Sequence, residues 1–153
     1  MDLFEGLFII SAFIFFISMI SALLLMANNK LRTVRISGWI LFALMFIMFG
    51  ILINFIIIGE DIRLIIYSIL IICYLLAEFL LDTVFKIDFR SKASLHIPYI
   101  ILEYAACFSF VFGAISIDPT LGWVISFLFW AFLAVLVYYL IKQRKNKKES
   151  LKK

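Results

Sequence analysis

Charge is scarce in this chain of 153 residues: 16% are charged, against about 25% in ordinary soluble domains, and there is one histidine. There are two cysteines, Cys73 and Cys107, and no CxxC pair. No GxSxG, HExxH, Walker loop or Gly-rich phosphate loop occurs, so the signatures of hydrolases, zinc proteases and nucleotide binders are all missing. Proline is limited to Pro98 and Pro119, both read as lying at helix starts. No stretch is polar and long enough for a soluble domain, a repeat or a low-complexity insert.

Apolar side chains fill the space these absences leave. They make up 66% of the chain, against roughly 45–50% in soluble domains. A soluble domain of this size leaves about a third of its unfolded surface exposed, so such an excess cannot be hidden in one core. Lipid must cover it. The 18 Phe are read as composition and not as chemistry.

Five runs can each supply the roughly 20 residues of a spanning helix: about 3–27, 34–59, 62–85, 97–117 and 121–141, followed by a basic tail over 142–153. Helices satisfy every backbone group internally, and none of the runs alternates as a barrel strand does. The expected fold is therefore all-α, a bundle of five transmembrane helices forming a single domain. The first run is expected to be a span and not a cleaved signal peptide, because Asp2 and Glu5 stand where a basic region would be. Asn28-Asn29 closes the first span, Gly59-Glu60-Asp61 makes a tight hairpin, and Asp118-Pro119 reads as an N-cap with proline at the first helical position.

Orientation follows from the basic residues, which stay in the cytoplasm. With the N-terminus outside, the inner segments hold Lys30, Arg32 and Arg35, then Lys86, Arg90 and Lys92, then the tail. Of the 14 Lys and Arg residues only Arg63 falls outside, while Asp2, Glu5, Glu60, Asp61 and Asp118 all do. Trp123 at the outer edge, and Trp39, Tyr138 and Tyr139 at the inner one, fit interfacial aromatic belts. The expected location is a multi-pass position in the cytoplasmic membrane. The net charge of +4 comes from the tail, which lacks interleaved aromatics and reads as an anchor for anionic lipid headgroups, not as a nucleic-acid site.

Ionisable groups inside spans are the best functional clue, since each costs roughly 2.5–3.5 kcal/mol near a helix centre even on the lenient insertion scale. Three fall there: Glu78, Asp82 and Glu103. Glu78, Asp82 and Lys86 are spaced i, i+4, i+8 on one helical face, which Tyr74 and Tyr67 extend. Counting rises along the third and fourth helices brings Glu78 and Glu103 to similar depth. Lys86, Arg90, Lys92 and His96 lie just below. The picture is a polar pocket with carboxylates above and cations at its mouth, holding a proton, a cation, or the headgroup of a lipid or substrate. The spacing names no metal, and no cofactor is expected. The structural reading pairs Asp82 with Lys86, Glu78 with Arg90, and Glu103 with a tyrosine hydroxyl.

Other residues read more simply. Cys73 and Cys107 are taken as buried apolar filler, His96 as an interfacial residue, and Gly50 with Asn54 as a contact with another span. Ala105, Ser109 and Gly113 form a small-residue stripe on the fourth helix.

The stretch Leu75-Leu76-Ala77-Glu78-Phe79-Leu80-Leu81-Asp82, then Lys86-Ile87-Asp88-Phe89-Arg90, then Pro98-Tyr99, resembles a pattern in small uncharacterised polytopic membrane proteins of archaea and bacteria. The resemblance covers about residues 74–141 and carries no activity. It implies that Glu78, Asp82, Arg90, Pro98 and Tyr99 belong to one unit. The leading functional expectation is a small transporter-like or proton- or cation-binding membrane protein, its site candidates Glu78, Asp82, Glu103, Tyr74 and Tyr99, with Lys86, Arg90 and His96 as charge partners. The alternative is an accessory or scaffold subunit of a larger membrane complex or homo-oligomer. A third reading, a lipid-modifying enzyme, lacks a nucleophile or metal constellation.

Overall fold

The computed structural model describes residues 2–28, 31–81 and 93–150, with the backbone alone for 31–35, 93–96 and 146–150. They form five helices: α1 (Leu3–Ala27), α2 (Leu31–Ile58), α3 (Ile62–Phe79), α4 (Ala93–Ile117) and α5 (Pro119–Ser150). All five are long and apolar enough to cross a membrane, which makes the chain a multi-pass integral membrane protein.

The helix ends follow from local chemistry. At the start of α1, the Asp2 backbone N–H donates to Glu5 Oε2 at 2.6 Å and the Asp2 side chain returns a bond, a reciprocal capping box. Gly59 takes a φ of 76°, the left-handed conformation that lets the chain reverse between α2 and α3. Asp61 then caps α3, accepting from the Arg63 backbone N–H at 2.9 Å. Asp118 is the whole connection between α4 and α5: its Oδ1 accepts from the amides of Thr120 and Leu121 at 2.8 and 3.1 Å. Pro119 begins α5 where no donor is needed.

Each helix packs on its neighbour in sequence, α5 closes back on α1, and α1 also touches α4 across the bundle. Among the five, α1 is the most buried and α5 the least. Lipid is as apolar as the core, so close packing and interhelical hydrogen bonds hold the helices together in place of hydrophobic exclusion. Phenylalanine does much of this. Phe15 and Phe16 of α1 lie 4.9 and 6.5 Å, ring to ring, from Phe110 of α4, which also meets Phe8 at 5.6 Å. Phe8 in turn meets Phe55 of α2 at 6.3 Å, and Phe16 meets Phe129 of α5 at 6.2 Å. The phenylalanines read only as composition are the centre of the bundle.

Two glycines permit the closest approaches. A Cβ on Gly113 of α4 would fall 2.6 Å from Phe8 Cζ, and one on Gly122 of α5 would fall 2.5 Å from the Cα of Ile115. Gly113 belongs to the small-residue stripe expected on α4, and Ser109 of that stripe is buried, its hydroxyl turned back to the Ala105 carbonyl.

Some expectations are corrected. The fourth helix begins at Ala93, so Pro98 lies inside it and not at its start. The fifth runs on through much of the basic tail, because Lys, Arg and Gln are good helix formers and nothing after Pro119 breaks the run. Among the described residues of the third span the α-helix runs to Phe79 and Leu80 and Leu81 form a π turn; the rest of that span as expected, to 85, lies outside the described residues. Gly50 is exposed with nothing within 4 Å of a Cβ there, so it makes no contact with another span. Asn54, on the same face, has a buried Oδ1 without a hydrogen-bond partner among the described residues.

Candidate functional site

The bundle has two chemically different ends. Asp2, Glu60, Asp61 and Asp118 lie at one; Lys142, Arg144 and Lys145 of α5 lie at the other, where Lys142 Nζ donates to Asn28 Oδ1 at the end of α1. Glu78 stands about 24 Å along α3 from Ile62 by helical rise, which puts it inside the apolar thickness but nearer the basic end.

Tyr74 is one turn before Glu78 on the same face of α3, and Tyr99 comes two residues into the apolar part of α4, directly after Pro98. Because α3 and α4 pack together in opposite directions, Tyr99 meets both residues. The Tyr99 hydroxyl donates to Glu78 Oε2. It also lies 3.1 Å from the Tyr74 hydroxyl. Tyr74 is fully buried and Tyr99 nearly so. Pro98 has no N–H for the carbonyl four residues before it, so the helical ladder is interrupted one residue from the phenol that reaches Glu78.

Behind the tyrosines is a helix that the sequence did not connect with the site. Tyr74 Oη lies 3.7 Å from Met19 Sδ of α1, and the Tyr74 and Phe15 rings meet nearly at right angles, centroids 5.8 Å apart. Met19 is about 24 Å along α1 from Leu3, the same depth as Glu78 on α3. Three helices thus contribute to one polar line through an apolar interior: Met19, Tyr74, Tyr99, Glu78.

The other expected site residues are placed as follows. Glu103 is half-buried on α4, one turn (about 6 Å) from Tyr99 toward the acidic end. A tyrosine hydroxyl is found on Glu78. Asp82, Lys86 and Arg90 lie outside the described residues, and His96 belongs to α4 with its side chain outside them. Cys107 is fully buried, as expected of filler, but Cys73 is exposed, about 100° around α3 from the buried Tyr74. Among the described residues no group of three or more His, Cys, Asp or Glu is gathered as a metal ion would require.

A carboxylate that accepts from a phenol, itself next to a second phenol, can bind or release one proton while its hydrogen-bond partners stay in place. The fold and this cluster define the class: a five-helix integral membrane protein with a carboxyl–phenol line inside its helices. No protein-family model, curated protein or solved structure matches the chain.

Proposed function

We propose that this is a proton-binding membrane protein of transporter-like type whose site is Glu78. The reading rests on one observation: the carboxyl group of Glu78, within a span, is engaged by a phenol from the neighbouring helix, and that phenol is joined to a second, fully buried one. Ionisable groups are expensive in a bilayer and mark ion and proton pathways when they face the bundle interior. The charge asymmetry of the two ends supports an orientation with the basic end in the cytoplasm, which places Glu78 in the inner half of the membrane. The basic end of α5 then rests among anionic headgroups.

Infrared difference spectroscopy in lipid nanodiscs, between acid and alkaline buffer, tests the reading. Acidification should produce the carbonyl stretch of a protonated carboxyl, and Glu78→Gln should abolish that component while Glu103→Gln keeps it. A Glu78→Gln difference spectrum identical to wild type would show that Glu78 binds no titrating proton.

A further inference from the structure

The line Met19–Tyr74–Tyr99–Glu78 contains three contacts, each of which needs a hydrogen. Tyr74 and Tyr99 carry one hydroxyl hydrogen each, so two are available from the phenols. The thioether sulfur of Met19 only accepts. With Glu78 ionised, Tyr99 donates to Glu78 and Tyr74 donates to Tyr99, which leaves the Met19 sulfur in contact without a hydrogen. A proton on Glu78 brings the third. The carboxyl O–H then donates to Tyr99, Tyr99 to Tyr74, and Tyr74 to Met19 Sδ, so every gap is filled and the polarity of the line is reversed.

We infer that proton uptake by Glu78, as read above, is transmitted through Tyr99 and Tyr74 to Met19, so that α1 is hydrogen-bonded to α3 in the protonated state alone. No atom is lost or gained beyond the one proton; each hydroxyl hydrogen moves to its oxygen's other neighbour by rotation. The line stops at Met19, since a thioether does not carry the proton on. It is therefore a signal to α1 and not a conducting path. The groups facing Glu78 among the described residues are Tyr74 on α3 and Tyr99 on α4, with Glu103 one turn further along α4. From α2, Phe42 stacks on Phe79 next to Glu78, with ring centroids 4.4 Å apart. Met19 acts as a positioning residue at the far end.

The test is a double-mutant cycle between Met19→Leu and Tyr74→Phe, read as unfolding in detergent at an acid and an alkaline pH on either side of the infrared transition of Glu78. Both substitutions keep volume, and the cycle cancels contacts outside the pair. Coupling should appear at acid pH as about a threefold change in the unfolding equilibrium, the size typical of interhelical hydrogen bonds in membranes. It should vanish at alkaline pH. In Glu78→Gln the amide N–H supplies the third hydrogen at any pH, so coupling should persist at both. Where Tyr74→Phe fails to fold, Met19→Leu alone must destabilise more at acid than at alkaline pH. Coupling equal at both pH values in wild type, with Glu78 still titrating in the infrared, overturns the relay and leaves the proton site standing. A Glu78 that does not titrate overturns both.

Discussion

Replacing Tyr99 by Phe removes one oxygen from the site and keeps the ring, whose centroid lies 5.8 Å from that of Tyr74. That oxygen makes two of the contacts in the line, one to Glu78 and one to Tyr74 at 3.1 Å. In water a hydrogen bond to a charged group is worth about 1.5–3 kcal/mol and a neutral one about 0.5–1.5. In membranes measured interhelical values are smaller, averaging about 0.6 kcal/mol with a maximum near 1.7, because the separated helices also find partners. The membrane figures decide here, since Tyr99 and Glu78 are on different helices. The Tyr99–Glu78 bond has an ionisable acceptor and belongs in the upper part of that range, about 1–1.7 kcal/mol. The measurement is a cycle of Tyr99→Phe with Glu78→Leu, by thermal or denaturant unfolding in detergent at neutral pH. Leu matches Glu in size and accepts nothing, and the cycle subtracts every other contact of either residue. A coupling below about 0.3 kcal/mol, within the usual limit of additivity for independent sites, would refute the claim that this bond joins α3 to α4.

Four further outcomes are expected. Gly122→Ala places a Cβ 2.5 Å from backbone of Ile115, which cannot yield, and Gly113→Ala places one 2.6 Å from a ring of the packed core; both should destabilise, by about 1–3 kcal/mol for Gly113→Ala and more for Gly122→Ala. Gly50→Ala meets nothing within 4 Å and should be neutral or stabilising by up to about 1 kcal/mol from helix propensity; equal effects at the three positions would contradict the packing. In detergent an uncharged mercurial should modify exposed Cys73 rapidly and buried Cys107 slowly, and no short reagent should bridge the two; fast loss of both thiols at one rate would oppose this placement. The Arg63 side chain, by its hydrogen bonds, holds Asp61 below its ordinary 3.8, so Asp61 stabilises the fold above that value and the contribution is lost as pH falls through the lowered one; wild type should be more stable than Asp61→Asn at neutral pH, and the gap between their unfolding profiles should narrow only below about pH 4, a gap independent of pH opposing the ion pair. Cysteines placed at Glu60 and Ser150 should be labelled from outside and inside respectively, and the reverse pattern would invert the orientation.

The composition and the length of the apolar runs determined the class of fold. A backbone in lipid must satisfy its own hydrogen bonds, so five runs of spanning length become five helices whatever their side chains do later. The first span was legible to the residue, as 3–27, because Asp2 and Asn28 flank it. The hairpin at Gly59 and the turn at Asp118-Pro119 were equally legible, since left-handed backbone, capping oxygens and a missing N–H are properties of single residues. The position of Pro98 within α4 was not, as five helical residues precede it with no strong cap to announce them.

The candidate site was half legible. Charge inside an apolar run pointed to Glu78, and helical spacing joined Tyr74 to it, both within one helix. That Tyr99 would reach Glu78, and that Met19 would stand behind Tyr74, depended on the rotation and register of three helices against one another. In a soluble bundle a polar face would have shown which side turns inward. Here lipid and core are equally apolar, so inward and outward faces read alike. For that reason Cys73 and Cys107, or Gly50 and Gly113, are indistinguishable in the sequence, and only the packing of α1, α3 and α4 separated lipid-facing residues from those of the interior.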